Sequence, residues 1–223
     1  MKDVRLIRLM QLCSSGLPIG NFTYSQGLEW AVECQWIKTE QDLREWLCDL
    51  IHNNLALLEI PILLRMLNAC QAKDELALGR WTDLLLAHRE TSELRFEENN
   101  RGRAMHKLLV ELNIGMANLW KPILIKSQSA GFALAAEHWK ISLPYTAQGF
   151  GWSWLENMVL SGIKLIPLGQ MAGQRILRDL SEELYAATEK GLNINDDSIG
   201  SSAPALAHAS ACHETQYTRL FRS

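Results

Sequence analysis

Thr39-Glu-Gln-Asp-Leu-Arg-Glu-Trp-Leu-Cys-Asp-Leu-Ile-His-Asn-Asn-Leu-Ala-Leu-Leu58 sets Leu43, Trp46, Leu47, Leu50, Ile51, Leu57 and Leu58 along one helical face. Such spacing buries a single stripe, because a helix turns once in about 3.6 residues. Thr39, with Asp42 three positions on, can close the first turn reciprocally through side-chain oxygens. Working outward, Ala77, Leu78, Trp81, Leu84 and Leu85 repeat the pattern, as do Leu177, Leu180, Leu184 and Ala187 after a start signal at Pro167. Asp3 to Cys13, Tyr24 to Cys34, Ser92 to Leu112, Pro122 to Trp139 and Pro144 to Ile163 read as further helices, and no stretch alternates as a strand does. The expected fold is all-α: one globular bundle of about eight to ten helices over residues 1–190, a flexible spacer over 191–205 and a partner-binding tail over 206–223.

The composition suits that fold. Of 223 residues, 48% are hydrophobic and 21% charged, and the net charge of −3 offers no positive field for nucleic acid or an anionic membrane. The amino-terminal residues Met1 to Arg8 carry charges where a signal peptide needs an apolar run. The greasiest window, Leu55 to Leu64, contains Glu59 and Pro61 and reads as core or interface. Five cysteines without a close pair argue against a disulfide framework and for a reducing cytoplasm.

Ser14-Ser-Gly-Leu-Pro-Ile-Gly-Asn21 and Ile166-Pro-Leu-Gly-Gln170 break the helical pattern, either as plain turns or as rigid loops offered to a partner. Gly131, Gly149, Gly151, Gly162 and Gly173 lie inside helical stretches, where they imply close helix approach. Trp152 and Trp154 cannot both face inward, so one is a candidate interface anchor.

Catalytic signatures are missing. No glycine-rich loop is followed by Lys and Ser or Thr, and no His-Glu-x-x-His or Cys-x-x-Cys string occurs. His208 and Cys212 can share a helical face and are weak metal candidates beside His213. In the charged run Arg89 to Arg103, Arg89–Glu93 and Glu97–Arg101 have the spacing of ion pairs on a helix. Glu98 and Arg101 nevertheless fall on the apolar stripe of Leu94, Met105, Leu108 and Leu112, which points to a polar channel or subunit interface.

The chain closes on His213-Glu-Thr-Gln-Tyr-Thr-Arg-Leu-Phe-Arg-Ser223 after the polar spacer Asn193 to Pro204. A free end frays, whereas Tyr217, Leu220 and Phe221 interleaved with arginines supply binding anchors, so the two segments read as a tether and a hook.

Leu17-Pro-Ile-Gly20, Tyr24-Ser-Gln-Gly-Leu-Glu29, the Arg89-Glu-Thr run, Gly162 to Gln170 and the closing segment, in that order, resemble the UreF family of urease accessory proteins along nearly the whole chain. The resemblance implies a helical, non-catalytic, cytoplasmic chaperone that dimerises, binds UreD (UreH in some species) and recruits the GTPase UreG to apo-urease for nickel insertion. It carries the UreD-type contact onto Tyr217, Arg219, Leu220, Phe221 and Arg222. It offers Glu98, Arg101 and His213 as lining for nickel in transit, with no resident cofactor. The lack of a histidine-rich segment speaks against tight nickel storage. A competing reading makes Arg219 or Arg222 an arginine finger that accelerates GTP hydrolysis by UreG.

Overall fold

In the computed structural model, residues 3–200 and 203–223 are described; Met1 and Lys2, and Ser201 and Ser202 of the spacer, lie outside them. The helices are α1 (Arg5–Cys13), α2 (Leu28–Glu33), α3 (Glu40–Leu50), α4 (Ile60–Ala72), α5 (Glu75–Ala87), α6 (Ser92–Glu111), α7 (Lys121–Leu124), α8 (Gln128–His138), α9 (Leu143–Leu165), α10 (Gln170–Leu192) and α11 (Pro204–His213). No strand occurs among the described residues, so the fold is all-α.

The Thr39 capping box forms as its sequence requires: the Thr39 hydroxyl accepts from the Asp42 N–H, and the Asp42 carboxylate accepts from the Thr39 N–H. From there α3 passes through a π-helical stretch, Ile51–Glu59, into α4, and the three run as one rod from Glu40 to Ala72. Glu59 and Pro61 do not end it. Pro61 has no N–H for the carbonyl of Leu57, and the Gly200 N–H takes that carbonyl instead at 3.1 Å. Glu59 is buried against Arg89. The rod is long and apolar enough to span a bilayer by length and composition alone, but 67% of its apolar window is buried in the bundle, as in a core helix.

Two apolar clusters flank the rod. Ile62, Leu63, Met66 and Leu67 pack with α5, α6 and α8, while Ile51, Leu55, Ile60 and Leu64 pack with α9 and α10. Close approach of helices at glycine holds at Gly149 and Gly151, where an added Cβ would lie 2.5 Å from Leu9 and 2.6 Å from Leu184. At Gly173 the nearest atoms stand at an ordinary 3.4 Å, so that position is not a tight crossing. Trp154 turns inward and Trp152 stays exposed, as two positions two apart on a helix must.

Three helix assignments and one ion pair differ from the sequence expectations. Pro122 to Trp139 is two helices, because Ser127 leaves helical geometry to cap α8 and to donate to Glu98. Tyr24 to Gly27 is not helical, since Ser25 is committed to the far end of the chain. Helix α10 starts at Gln170 and not at Pro167. Arg89 lies before α6, so it forms no helical pair with Glu93 and turns to Glu59 and Glu98. Glu97–Arg101 does form, at 2.7 Å.

Candidate functional site

Tyr24 to Glu29, the start of α6 and the closing residues, far apart in sequence, meet at one place. Gly27, at φ +78°, has the left-handed backbone that glycine accepts readily. An added Cβ there would lie 2.7 Å from the Ser210 backbone nitrogen, so the absence of a side chain lets α11 cross directly over it. Gln26 is also left-handed, at φ +53°, and its amide is satisfied on both sides: it donates to Glu97 at 2.9 Å and accepts from Trp154 Nε1 at 3.0 Å.

This turn and α2 form a cradle for the tail. The Glu29 carboxylate accepts the backbone N–H groups of Leu220 at 2.6 Å and Phe221 at 2.8 Å. Both the N–H and the hydroxyl of Ser25 donate to the Ser223 carbonyl, at 2.7 and 2.6 Å. The Ser223 hydroxyl donates to Glu97 at 2.9 Å, and the Arg222 N–H donates to the Thr23 carbonyl at 2.8 Å. Backbone groups of an irregular segment need partners once buried, and here the Glu29 carboxylate, the Ser25 hydroxyl and the backbone of Thr23 and Ser25 supply them.

His213, fully buried, stands between Glu93 (Nδ1 to Oε2, 2.7 Å) and Glu29 (Nε2 to Oε2, 3.2 Å). Both ring nitrogens thus face a carboxylate oxygen, which ties α11 to α2 and to the start of α6. Arg219 adds a pair with the other Glu93 oxygen at 2.7 Å. Glu214 accepts from the Ser92 hydroxyl and from the Ser92 and Glu93 N–H groups, capping α6 from outside the helix. The Ser92 hydroxyl, first, and these amides hold its carboxyl below the usual range.

Deeper in, Glu98 accepts from Arg89 at 2.7 Å, from the Ser127 hydroxyl at 2.7 Å and from the Gln128 N–H at 3.1 Å, while Arg89 also forks onto Glu59. Burial pushes the Glu98 carboxyl up, but Arg89, Arg101 and the Ser127 hydroxyl together outweigh it and hold the group below its ordinary value.

The tail residues expected to bind a partner therefore divide. Phe221 is 5% exposed and Ser223 is buried, which corrects the reading of Phe221 as an open anchor. Its backbone is held by Glu29, a side chain remote in sequence, so the burial was not visible in the local pattern. Tyr217 is fully exposed and Leu220 is 67% exposed. Arg219 faces Glu93, and Arg222 is exposed.

Of the residues read as lining a channel, Glu98 and Arg101 border a polar pocket of about 20 Å³, room for about one water, beside Trp154 and Ser153; His213 lies apart in the tail cluster. His208 and Cys212 do share a face of α11, with Nε2 and Sγ 3.7 Å apart, and His208 packs between Trp30 and Trp36. Sequence reasoning missed Glu29, Ser25 and Glu97 as the tail's anchors.

The UreF family model matches residues 37–181, most of the helical body. The chain belongs to the UreF family of urease accessory proteins. It is 51% identical over 221 residues to the urease accessory protein UreF of Pseudomonas putida (strain GB-1), covering 99% of each chain. It is 50% identical over the full length to that of Alcanivorax borkumensis, and 44% identical over 97% of each chain to that of an Enterobacter species. These relatives match beyond the family model at both ends, so the likeness to UreF takes in the cradle and the tail.

Proposed function

We propose that the chain is a non-catalytic adaptor in urease maturation: a cytoplasmic dimer that binds UreD or UreH through the tail and brings the GTPase UreG to apo-urease for nickel insertion. The observation that carries this reading is the division of the tail, with its backbone secured on Glu29 and Ser25 and its Tyr217 and Leu220 side chains turned outward. Exposed aromatic and aliphatic groups on a segment already held in place bind with less ordering cost than on a free coil. The tail is thus a pre-positioned hook. Nickel is cargo in this scheme and needs no resident site in the tail. Gel filtration of the chain mixed with UreD and UreG tests it: the adaptor reading expects a single co-eluting species, and independent peaks in the presence of nickel and nucleotide contradict it.

A second reading keeps the same partners but makes a tail arginine act on the nucleotide bound to UreG. Arg222 favours it, since its side chain is exposed, whereas Arg219 is engaged by Glu93. Single-turnover GTP hydrolysis by UreG in complex with Arg222→Ala separates the two. An arginine finger changes the rate by about 10³-fold or more, and the adaptor reading expects little change.

A further inference from the structure

On the face of the bundle where α3 and the π-helical stretch pack against α10, three side chains of different chemistry converge. Cys48 ends one turn of α3, and His52 follows four residues later on the same face, inside the π-helical stretch. Glu183 reaches across from α10. Its Oε2 lies 2.8 Å from His52 Nε2, and the sulfur, the imidazole nitrogen and the carboxylate oxygen all lie within 4.8 Å of one another. Both supporting elements are anchored, since Ile51 and Leu55 on one side and Leu180 and Leu184 on the other are buried in a shared apolar cluster.

We propose that Cys48, His52 and Glu183 form a binding site for a first-row divalent transition-metal ion. Two donors bonded to one ion at about 2.0–2.3 Å lie within roughly 4.5 Å of each other, so side-chain rotation alone closes the set. A thiolate with an imidazole and a carboxylate suits borderline ions such as Zn²⁺, Co²⁺ and Ni²⁺; magnesium and calcium prefer oxygen-only shells. The Cys48 thiol gives its proton to solvent as the sulfur–metal bond forms, and the ion replaces the His52–Glu183 hydrogen bond, with the imidazole proton carried on Nδ1 so that the Nε2 lone pair meets the ion. Three protein donors leave a position open, and the half-exposed His52 and Glu183 side chains, at 38% and 46%, put that opening at the surface. Such a site exchanges its ion with solvent or with an incoming ligand. By contrast, among the described residues His208 and Cys212 have no third donor within the same reach. The inference uses no residue of the tail and does not depend on the adaptor reading.

Co²⁺ titration of the full-length chain under reducing conditions tests it, because thiolate-to-cobalt charge transfer absorbs in the near ultraviolet. The wild-type protein is expected to show that band, displaced by Zn²⁺ or Ni²⁺ and not by Mg²⁺. Cys48→Ala should lose it, and Cys212→Ala should retain it. Glu183→Gln should weaken Co²⁺ binding by at least the roughly tenfold that loss of even an outer-shell contact brings. This change of a half-exposed side chain carries the test if Cys48→Ala does not fold. A band that survives in Cys48→Ala, a band lost in Cys212→Ala, or unchanged affinity in Glu183→Gln overturns the assignment.

Discussion

At the scale of single residues, Arg89 and Glu98 hold the polar interior together. Arg89 lies between the buried carboxylates of Glu59 and Glu98, and removing it leaves two negative charges facing each other out of water. Breaking one side of a buried ion pair costs about 3–5 kcal/mol, so Arg89→Ala should lower unfolding stability by about that much in urea denaturation. The Glu98 carboxyl is held below its ordinary value, so it contributes stability above the unfolded value of about 4.3 and loses it as pH falls through the folded one. Stability should therefore decline on acidification below about pH 4. Glu98→Gln, less stable at neutral pH, should show a shallower decline in urea denaturation repeated across that range. The sequence carried half of this: Glu98 on an apolar stripe signalled a buried, paired charge. Its partners were hidden, because Arg89 leaves the helical register before Ser92 and Ser127 comes from another element.

Among the elements, the helices with one apolar stripe were legible, and the breaks set by tertiary contacts were not. Ser127 interrupts the expected helix from Pro122 because its hydroxyl serves Glu98, and Ser25 stays out of α2 because it holds the Ser223 carbonyl. In the π-helical stretch the single stripe breaks down: Asn54, Leu55, Ala56, Leu58 and Glu59 are all buried while Leu57 is only partly so, which the α-helical spacing of the sequence did not signal. The tail's side chains looked like anchors because they are aromatic and aliphatic among arginines. That pattern cannot tell an anchor for a partner from one for the chain's own body, and Phe221 is the second kind. Glu29 is the element-scale control of the tail. Glu29→Gln puts an amide group where a carboxylate oxygen now accepts a backbone N–H, so hydrogen exchange at Leu220 and Phe221 should speed up by about tenfold or more, while α9 amides keep their protection. Unchanged exchange at both amides would mean that Glu29 does not hold the tail.

For the whole molecule, the UreF fold is a rod flanked by two apolar layers, with one end of the bundle given to a cradle that the chain fills with its own tail. Truncation from Tyr217 onward is a poor probe of partner binding, since it also strips Glu29 and Glu97 of buried hydrogen-bond donors. The double substitution Tyr217→Ala with Leu220→Ala changes only what faces outward and leaves the anchoring backbone in place. Calorimetric titration of UreD into this variant and into the wild-type chain is the most direct test. The account predicts an affinity loss of about 100-fold or more with an unchanged melting temperature. Equal affinities for the two proteins would contradict it.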